Sequence, residues 1–333
     1  MGSLSSAQGR AARTAALIAT EDEALAVAGA LAGAFALATD GLETRFDPLS
    51  RSGLFGISVP TEHGGIDVSN TVLAEICTLC CERSEALGAI LAAHFVAVGH
   101  VRSHAPDSHQ NSVFSPLLAG AWLAQATVGL GEEPLALVPS GLGWRLSGAA
   151  LPSPHAGHAD WLLVPVRHES LKAAGLLLPA GSEGLREAGD RQMAFEDVLV
   201  DSAVLLQSSS EAAANAVPRA LGLLLQAACR RGAGRRALHA LLDDPACNPA
   251  SAGLLAARLA AAGAMIAEAG RAIDSAQIGL ADQHRTNAFL AAADALVAAE
   301  EAVAGDTATI PPQLAAVLTE SGALRLAQAP DAP

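Results

Sequence analysis

Three stretches of different hydrophobic periodicity follow one another along the chain, and their order limits the architectures open to it. In the N-terminal third, apolar residues recur at three and four. Thr20 and Glu23 have capping-box spacing, and Leu25, Ala28, Leu31, Ala32 and Phe35 form the apolar stripe of the helix that follows. The turn-rich segment PTEHGG (Pro60 to Gly65) predicts a second helix after it, capped by Ser69 or Asp67, with Val72, Ile76 and Leu79 on the buried face. A third is expected from Ser84 to just before Pro106, which cannot continue it.

From about Trp122 to Leu206 the pattern shortens to β-favouring runs: WLAQATV, WRLSG, WLLVPV, GLLLP and MAFEDVLV, separated by Gly, Pro, Ser and Asp. The segment PSGLGWRLSG reads as a hairpin in which Gly141 and Gly143 take unusual backbone angles. After Ser208 the chain is helical again over residues 213–242, 250–278 and about 287–303, with a partly irregular tail from Gly305. The expected fold class is therefore α+β, mainly α: an N-terminal helical domain (1–115), a middle antiparallel β domain (116–207) and a shortened C-terminal helical bundle (208–333).

Composition removes several function classes. With 34 acidic against 20 basic residues the formal charge is −14, and Lys172 is the only lysine, so a polyanionic nucleic acid is repelled rather than held. Aromatic residues make up 3% of the chain, too few for base-stacking platforms. An apolar content of 51% excludes disorder. The N-terminal stretch reaches Glu21, Asp22 and Glu23 after a short Ala-dominated run and is a poor signal peptide. The uncharged run from Gln110 to Gly131 contains Asn111, Ser112, Pro116, Gly120, Gln125 and Gly129; it reads as a loop leading into a strand, not a membrane span. Five cysteines, an odd number, read as reduced thiols, and the expected location is cytoplasmic.

Three segments carry a family resemblance. SGLFGISVPTEHGG (Ser52 to Gly65), GWRLSG with AGHADWLLVPVR (Ala156 to Arg167), and FEDVLVDSAVLL (Phe195 to Leu206) occur in the order and spacing of the acyl-CoA dehydrogenase family. The first and third also resemble flavin-dependent desulfurisation monooxygenases of the same fold. The resemblance implies FAD held between the β domain and the C-terminal helices, with an acyl-CoA or related small molecule as substrate. It implies removal of a proton and a hydride from adjacent carbons, which needs a carboxylate base and hydrogen bonds to the thioester carbonyl. It also implies a homo-oligomer, or a hetero-oligomer with a family member.

The chain departs from the family pattern at several points. The flavin motif, normally Thr-Glu-Pro then Gly-Ser-Asp, is here QATVGLGEEP, with Thr127 at the threonine position. Pro152 and Pro154 stand where the family places a Trp and a Thr, and proline offers neither a side-chain donor nor an N–H. Thr127, Ser153 and His155 are the flavin-contact candidates in the β domain. Arg235 and Arg236, in the cluster RRGAGRR, are the candidates in the C-terminal helices, where the family has an Arg followed by Phe-Gly. The alternative reading of that cluster is a solvated helix face. No Gly-Gly-x-Gly turn marks a catalytic base, so none is assigned among the late glutamates Glu300, Glu301 and Glu320.

Two other clusters have simpler explanations. Cys77, Cys80 and Cys81 lack a second pair at zinc spacing and read as buried helix thiols; no metal is expected. His100 and His104, one turn apart with His94 and His109 near, read as helix-end histidines. Three functions stay open: a flavin-dependent oxidoreductase acting on an acyl thioester; a degenerate, flavin-poor partner subunit; and a flavin-dependent monooxygenase acting on a small reduced-sulfur or nitrogen compound.

Overall fold

The computed structural model describes residues 14–37, 45–127, 135–141, 143–167, 173–188, 192–200, 205–207, 211–279, 281–304 and 312–328. They divide into two compact units, one comprising the chain up to Val68 with Ala89–Asn215, the other Ser69–Gly88 with Ala216–Pro333. The motif segment QATVGLGEEP lies outside the described residues beyond Thr127.

The first unit holds α1 (Glu21–Ala36), α2 (Phe46–Arg51), most of α4 (Glu85–His104) and α5 (Asp107–Leu118). Helix α1 starts where its capping box predicts: the Glu23 N–H donates to Thr20 Oγ1 (3.2 Å), and Glu23 Oε2 accepts from the Ala19 N–H (2.8 Å). Helix α5 corrects the reading of residues 110–118 as a loop. Pro116 is accommodated in its last turn, and Gln110, Phe114 and Leu117 are buried at helical spacing.

A nine-stranded sheet follows, with the order β5-β2-β3-β1-β4-β6-β9 and β7 and β8 attached through β3. Its strands are β1 (Leu123–Thr127), β2 (Leu135–Ser140), β3 (Gly143–Pro152), β4 (Trp161–Val164), β5 (Val166–Arg167), β6 (Ala173–Pro179), β7 (Leu185–Ala188), β8 (Gln192–Val200) and β9 (Leu205–Gln207). Pairing is antiparallel as expected except for β1 with β4 and β2 with β5. The β1–β4 connection contains the whole β2–β3 hairpin, which supplies the crossover length a parallel pair requires.

Strand β3 changes partners along its length. Trp144 to Ala150 pair with β8, and beyond an irregularity between Leu146 and Gly148 the strand ends beside β1, with Ala126 opposite Pro152 and Thr127 opposite Leu151. At the hairpin, Gly141 has the left-handed backbone predicted for it (φ 61°). Gly143 is needed for a different reason, since a Cβ there would lie 2.8 Å from the Val200 carbonyl oxygen. Helices α4 and α5 cover one face of β1, β4 and β6 through Val98, Val101, Phe114 and Leu117 against Leu123, Trp161, Leu163 and Leu177.

The second unit is helical: α3 (Asn70–Arg83), α6 (Glu211–Leu242), α7 (Pro249–Ile278), α8 (Asp282–Ala304) and α9 (Pro312–Gln328). Helix α9 replaces much of the tail expected to be irregular; Pro312 stands in its first turn, where no N–H is required. The predicted cap of α3 is also corrected. Ser69 makes no side-chain cap bond. Instead Asp274 Oδ1, on α7, accepts from the backbone N–H of Asn70 (3.0 Å) and from its Nδ2 (2.6 Å). On the buried face of α3, Ile76 lies beside Leu73, Cys77 and Cys80, while Val72 and Leu79 are only half-buried.

Candidate functional site

The sequence candidates of the β domain come together where β3 ends. Pro152 has no N–H, and Ser153 takes over the pairing: its N–H donates to the Gln125 carbonyl (2.7 Å) while its Oγ accepts from the Gln125 N–H (3.1 Å). Two residues along β1, the exposed Thr127 donates from Oγ1 to the Leu151 carbonyl (3.3 Å). The hydroxyls are thereby set in complementary roles: Ser153 retains its O–H to donate, and Thr127 retains lone pairs to accept.

The loop after Ser153 is tied down at its far end as well. Asp160 Oδ2 accepts from the Trp122 N–H (3.1 Å), and the Asp160 N–H donates to the Trp122 carbonyl (3.1 Å). Between these anchors His155 adopts a left-handed backbone (φ 61°) and opens a single 3-10 turn. Its ring lies 5.8 Å from that of Phe46, which stacks on His158 at 4.6 Å and on Trp122 at 6.1 Å. Burial, together with the neighbouring His158, pushes the His155 imidazole below its ordinary value.

Beneath this loop lies a residue whose part the sequence did not disclose. His94 is fully buried. Its Nδ1 accepts from the Leu123 N–H (3.0 Å), so Nε2 carries the proton and donates to the Phe55 carbonyl (2.9 Å). One neutral imidazole thus links α4, the SGLFGISV segment and the first residue of β1. Burial pushes it down to about 4.

His100 and His104 stack on each other, with ring centroids 5.5 Å apart, and a His104 Nδ1 bond reaches the His100 carbonyl (2.9 Å). Among the described residues no group of three or more His, Cys, Asp or Glu side chains is arranged to hold a metal ion.

Arg235 and Arg236 lie in the second unit, on α6. Arg235 Nε meets Glu82 at 2.8 Å and its Nη1 meets Glu75 at 3.3 Å. Arg236 donates to the Cys81 carbonyl (3.2 Å) and lies 3.7 Å from Glu85. Glu82 is only 6% exposed, so its charge requires these partners, to which His239 adds a contact at 3.3 Å. Of the arginine cluster, Arg231 and Arg235 therefore face α3, whereas Arg230 and Arg236 stay half-exposed. Of the late glutamates, Glu300 pairs with Arg230 (2.7 Å) and Glu320 with Arg219 (2.8 Å), while Glu301 is exposed.

No protein-family model matches the chain, and no curated protein matches its sequence. Solved structures do match it over most of its length. The dibenzothiophene monooxygenase TdsC of Paenibacillus sp. A11-2 superposes with a TM-score of 0.72 at 19% identity, covering 92% of this chain and 88% of that one. A structure of TdsC with FMN bound matches equally well, with a TM-score of 0.72. The butyryl-CoA dehydrogenase of Megasphaera elsdenii superposes with a TM-score of 0.67 at 15% identity, covering 93% and 94%. The chain has the acyl-CoA dehydrogenase fold. The methanesulfinate monooxygenase MsuC of Pseudomonas fluorescens shares it, with a TM-score of 0.72 at 18% identity and coverage of 93% and 98%. The described parts of the three sequence segments that carried the resemblance are the 52–65 turn, the start of β3 with the turn and strands from Ala156 to Arg167, and residues of β8 and β9.

Proposed function

We propose that the chain is a flavin-dependent monooxygenase acting on a small reduced-sulfur or nitrogen compound. The observation that supports this reading is the fold match over most of the chain to the monooxygenases TdsC and MsuC, each with a TM-score of 0.72; in keeping with it, two of the three late glutamates, Glu300 and Glu320, are bonded to arginines of α6, and the third, Glu301, is exposed. A dehydrogenase needs a carboxylate to take the α-proton. Oxygen transfer does not.

The β-domain residues fit a flavin. The polar edge of the isoalloxazine ring alternates carbonyl acceptors with an N–H donor, and Ser153 and Thr127 offer the complementary pair. A bound, reduced flavin supplies the electrons that activate dioxygen for transfer of one oxygen atom. Ser153 would donate to a ring acceptor and Thr127 would accept from a ring donor, with His155 in the turn beside them.

FMN suits the site better than FAD, because the arginines that the resemblance would give to a dinucleotide pyrophosphate are engaged with Glu75, Glu82 and Glu85. The apolar outer surface of α7, with Leu254 52% and Met265 37% exposed, suits packing against a second copy, and an oligomer in the cytoplasm is the expected working form.

The deciding experiment is anaerobic titration of the protein with reduced FMN and reduced FAD, followed by admission of oxygen in the presence of dibenzothiophene, indole or methanesulfinate. Oxygenated product with FMN supports the proposal. Binding of either flavin with turnover of an acyl-CoA instead would restore the dehydrogenase reading. A second reading rests on Pro152 and Pro154, which remove two expected ring contacts: a partner subunit without flavin, which the absence of any flavin binding would favour.

A further inference from the structure

Four of the five cysteines meet where α3 crosses α6. Cys77 and Cys81 are one helical turn apart on α3, and the Cys229 thiol of α6 interacts with both. The helices are in close contact there. Thr78 Oγ1 donates to the Ala228 carbonyl (3.2 Å), and one turn further along α6 a Cβ on Gly232 would lie 2.8 Å from the Cys81 Cβ. Cys229 lies between these two contacts along α6.

The environments of the three thiols differ. Cys77 and Cys81 are buried, whereas Cys229 retains partial exposure. Of the two α3 thiols, Cys81 is the one α6 packs against most closely, since a Cβ on Gly232 would lie 2.8 Å from its Cβ, and this singles it out over Cys77.

We infer that α3 and α6 carry a latent cross-link, a disulfide between Cys229 and Cys81 that forms on exposure to peroxide. Hydrogen peroxide oxidises the Cys229 thiol to the sulfenic acid, releasing one water. The Cys81 sulfur then attacks the Cys229 sulfur, the S–S bond forms, and the sulfenic oxygen leaves with the Cys81 proton as a second water. Two thiols give up two electrons and two protons, and one peroxide becomes two waters. Desolvation and the mutual thiol contacts hold these groups protonated, so the reaction is slow and responds to sustained peroxide rather than to a brief pulse. The inference does not depend on flavin binding.

The test treats the reduced full-length protein with excess hydrogen peroxide for hours, blocks remaining thiols with iodoacetamide under denaturing conditions, and maps the peptides by mass spectrometry. The expected result is loss of two of the five alkylatable cysteines, with a single intramolecular peptide pair joining Cys81 to Cys229, and recovery of both on reduction with a phosphine. The oxidised wild-type protein should also melt at a higher temperature than the reduced one. Cys229→Ser should abolish both the cross-link and the shift. Five alkylatable cysteines after treatment, a link through Cys80 or Cys247, a link between chains, or irreversible oxidation would each overturn the inference. Should Cys229→Ser not fold, the peptide map and melting shift of the wild type still decide.

Discussion

Arg102 places both terminal nitrogens of its guanidinium on the carboxylate of Asp67, at 2.6 and 3.1 Å, and Asp67 holds a left-handed backbone (φ 48°). A non-glycine residue adopts that conformation only when its surroundings enforce it. Here the forked ion pair fixes the end of the turn-rich segment onto α4.

Arg102→Ala is expected to lower the unfolding free energy by about 1–2 kcal/mol, since each partner is less than a third exposed. Asp67→Ala should cost at least as much, because it keeps the backbone strain and loses the pair. Asp67→Gly should cost less than Asp67→Ala by about 1 kcal/mol. Urea denaturation of the three variants checks this order.

His94 predicts a pH dependence. Its folded-state value is pushed down to about 4, below the about 6.5 of an exposed histidine, so between those values the unfolded chain binds the extra proton. The stability that rests on neutral His94 is complete above pH 6.5 and is lost as the pH falls toward 4. From pH 6.5 to 5 the loss should be about 2 kcal/mol. His94→Gln should be less stable at pH 7 and should lose about 2 kcal/mol less than the wild type over the same interval. An unchanged slope in urea titrations would count against the assignment.

Two helix glycines should respond oppositely to alanine. At Gly232 a Cβ would lie 2.5 Å from the Thr78 carbonyl oxygen, and Gly232→Ala should destabilise by about 1–3 kcal/mol. At Gly253 nothing lies within 4 Å, and Gly253→Ala should stabilise by about 0.5–1 kcal/mol through helix propensity. Thermal melts of both variants provide the check.

Flavin affinity should separate the two groups of candidate residues. Ser153→Ala removes a donor and should weaken FMN binding by about tenfold. Arg235→Ala should leave FMN affinity unchanged and instead lower stability, because it strips the partner from the buried Glu82. Fluorescence quenching titrations, paired with melting curves, distinguish the outcomes.

What was legible in the sequence is what local periodicity encodes. The capping box of Thr20 and Glu23, the hairpin at Gly141 and the long alanine-based helices all depend on neighbours within a few residues. Helices α5 and α9 were hidden because Pro116 and Pro312 read as breaks, although each sits in a terminal turn that tolerates it. Ser153 and Thr127 could be marked as candidates, yet their opposite hydrogen-bond roles depend on how β3 meets β1. His94 stayed unassigned because its partners are backbone groups of Phe55 and Leu123, which carry no side-chain signature. The pairing of Arg231 and Arg235 was hidden for a similar reason: their carboxylate, Glu75, lies more than 150 residues earlier, on α3.

The cap that Asp274 supplies to α3 also sets an order of events in the cell. Asn70 and its cap are 204 residues apart, and at ordinary ribosomal speed that distance takes roughly 10 to 40 s to synthesise. For that interval the first turn of α3 and its cysteine-rich apolar face await their partner helices. Until then the nascent chain carries uncovered an apolar face whose residues end up fully buried.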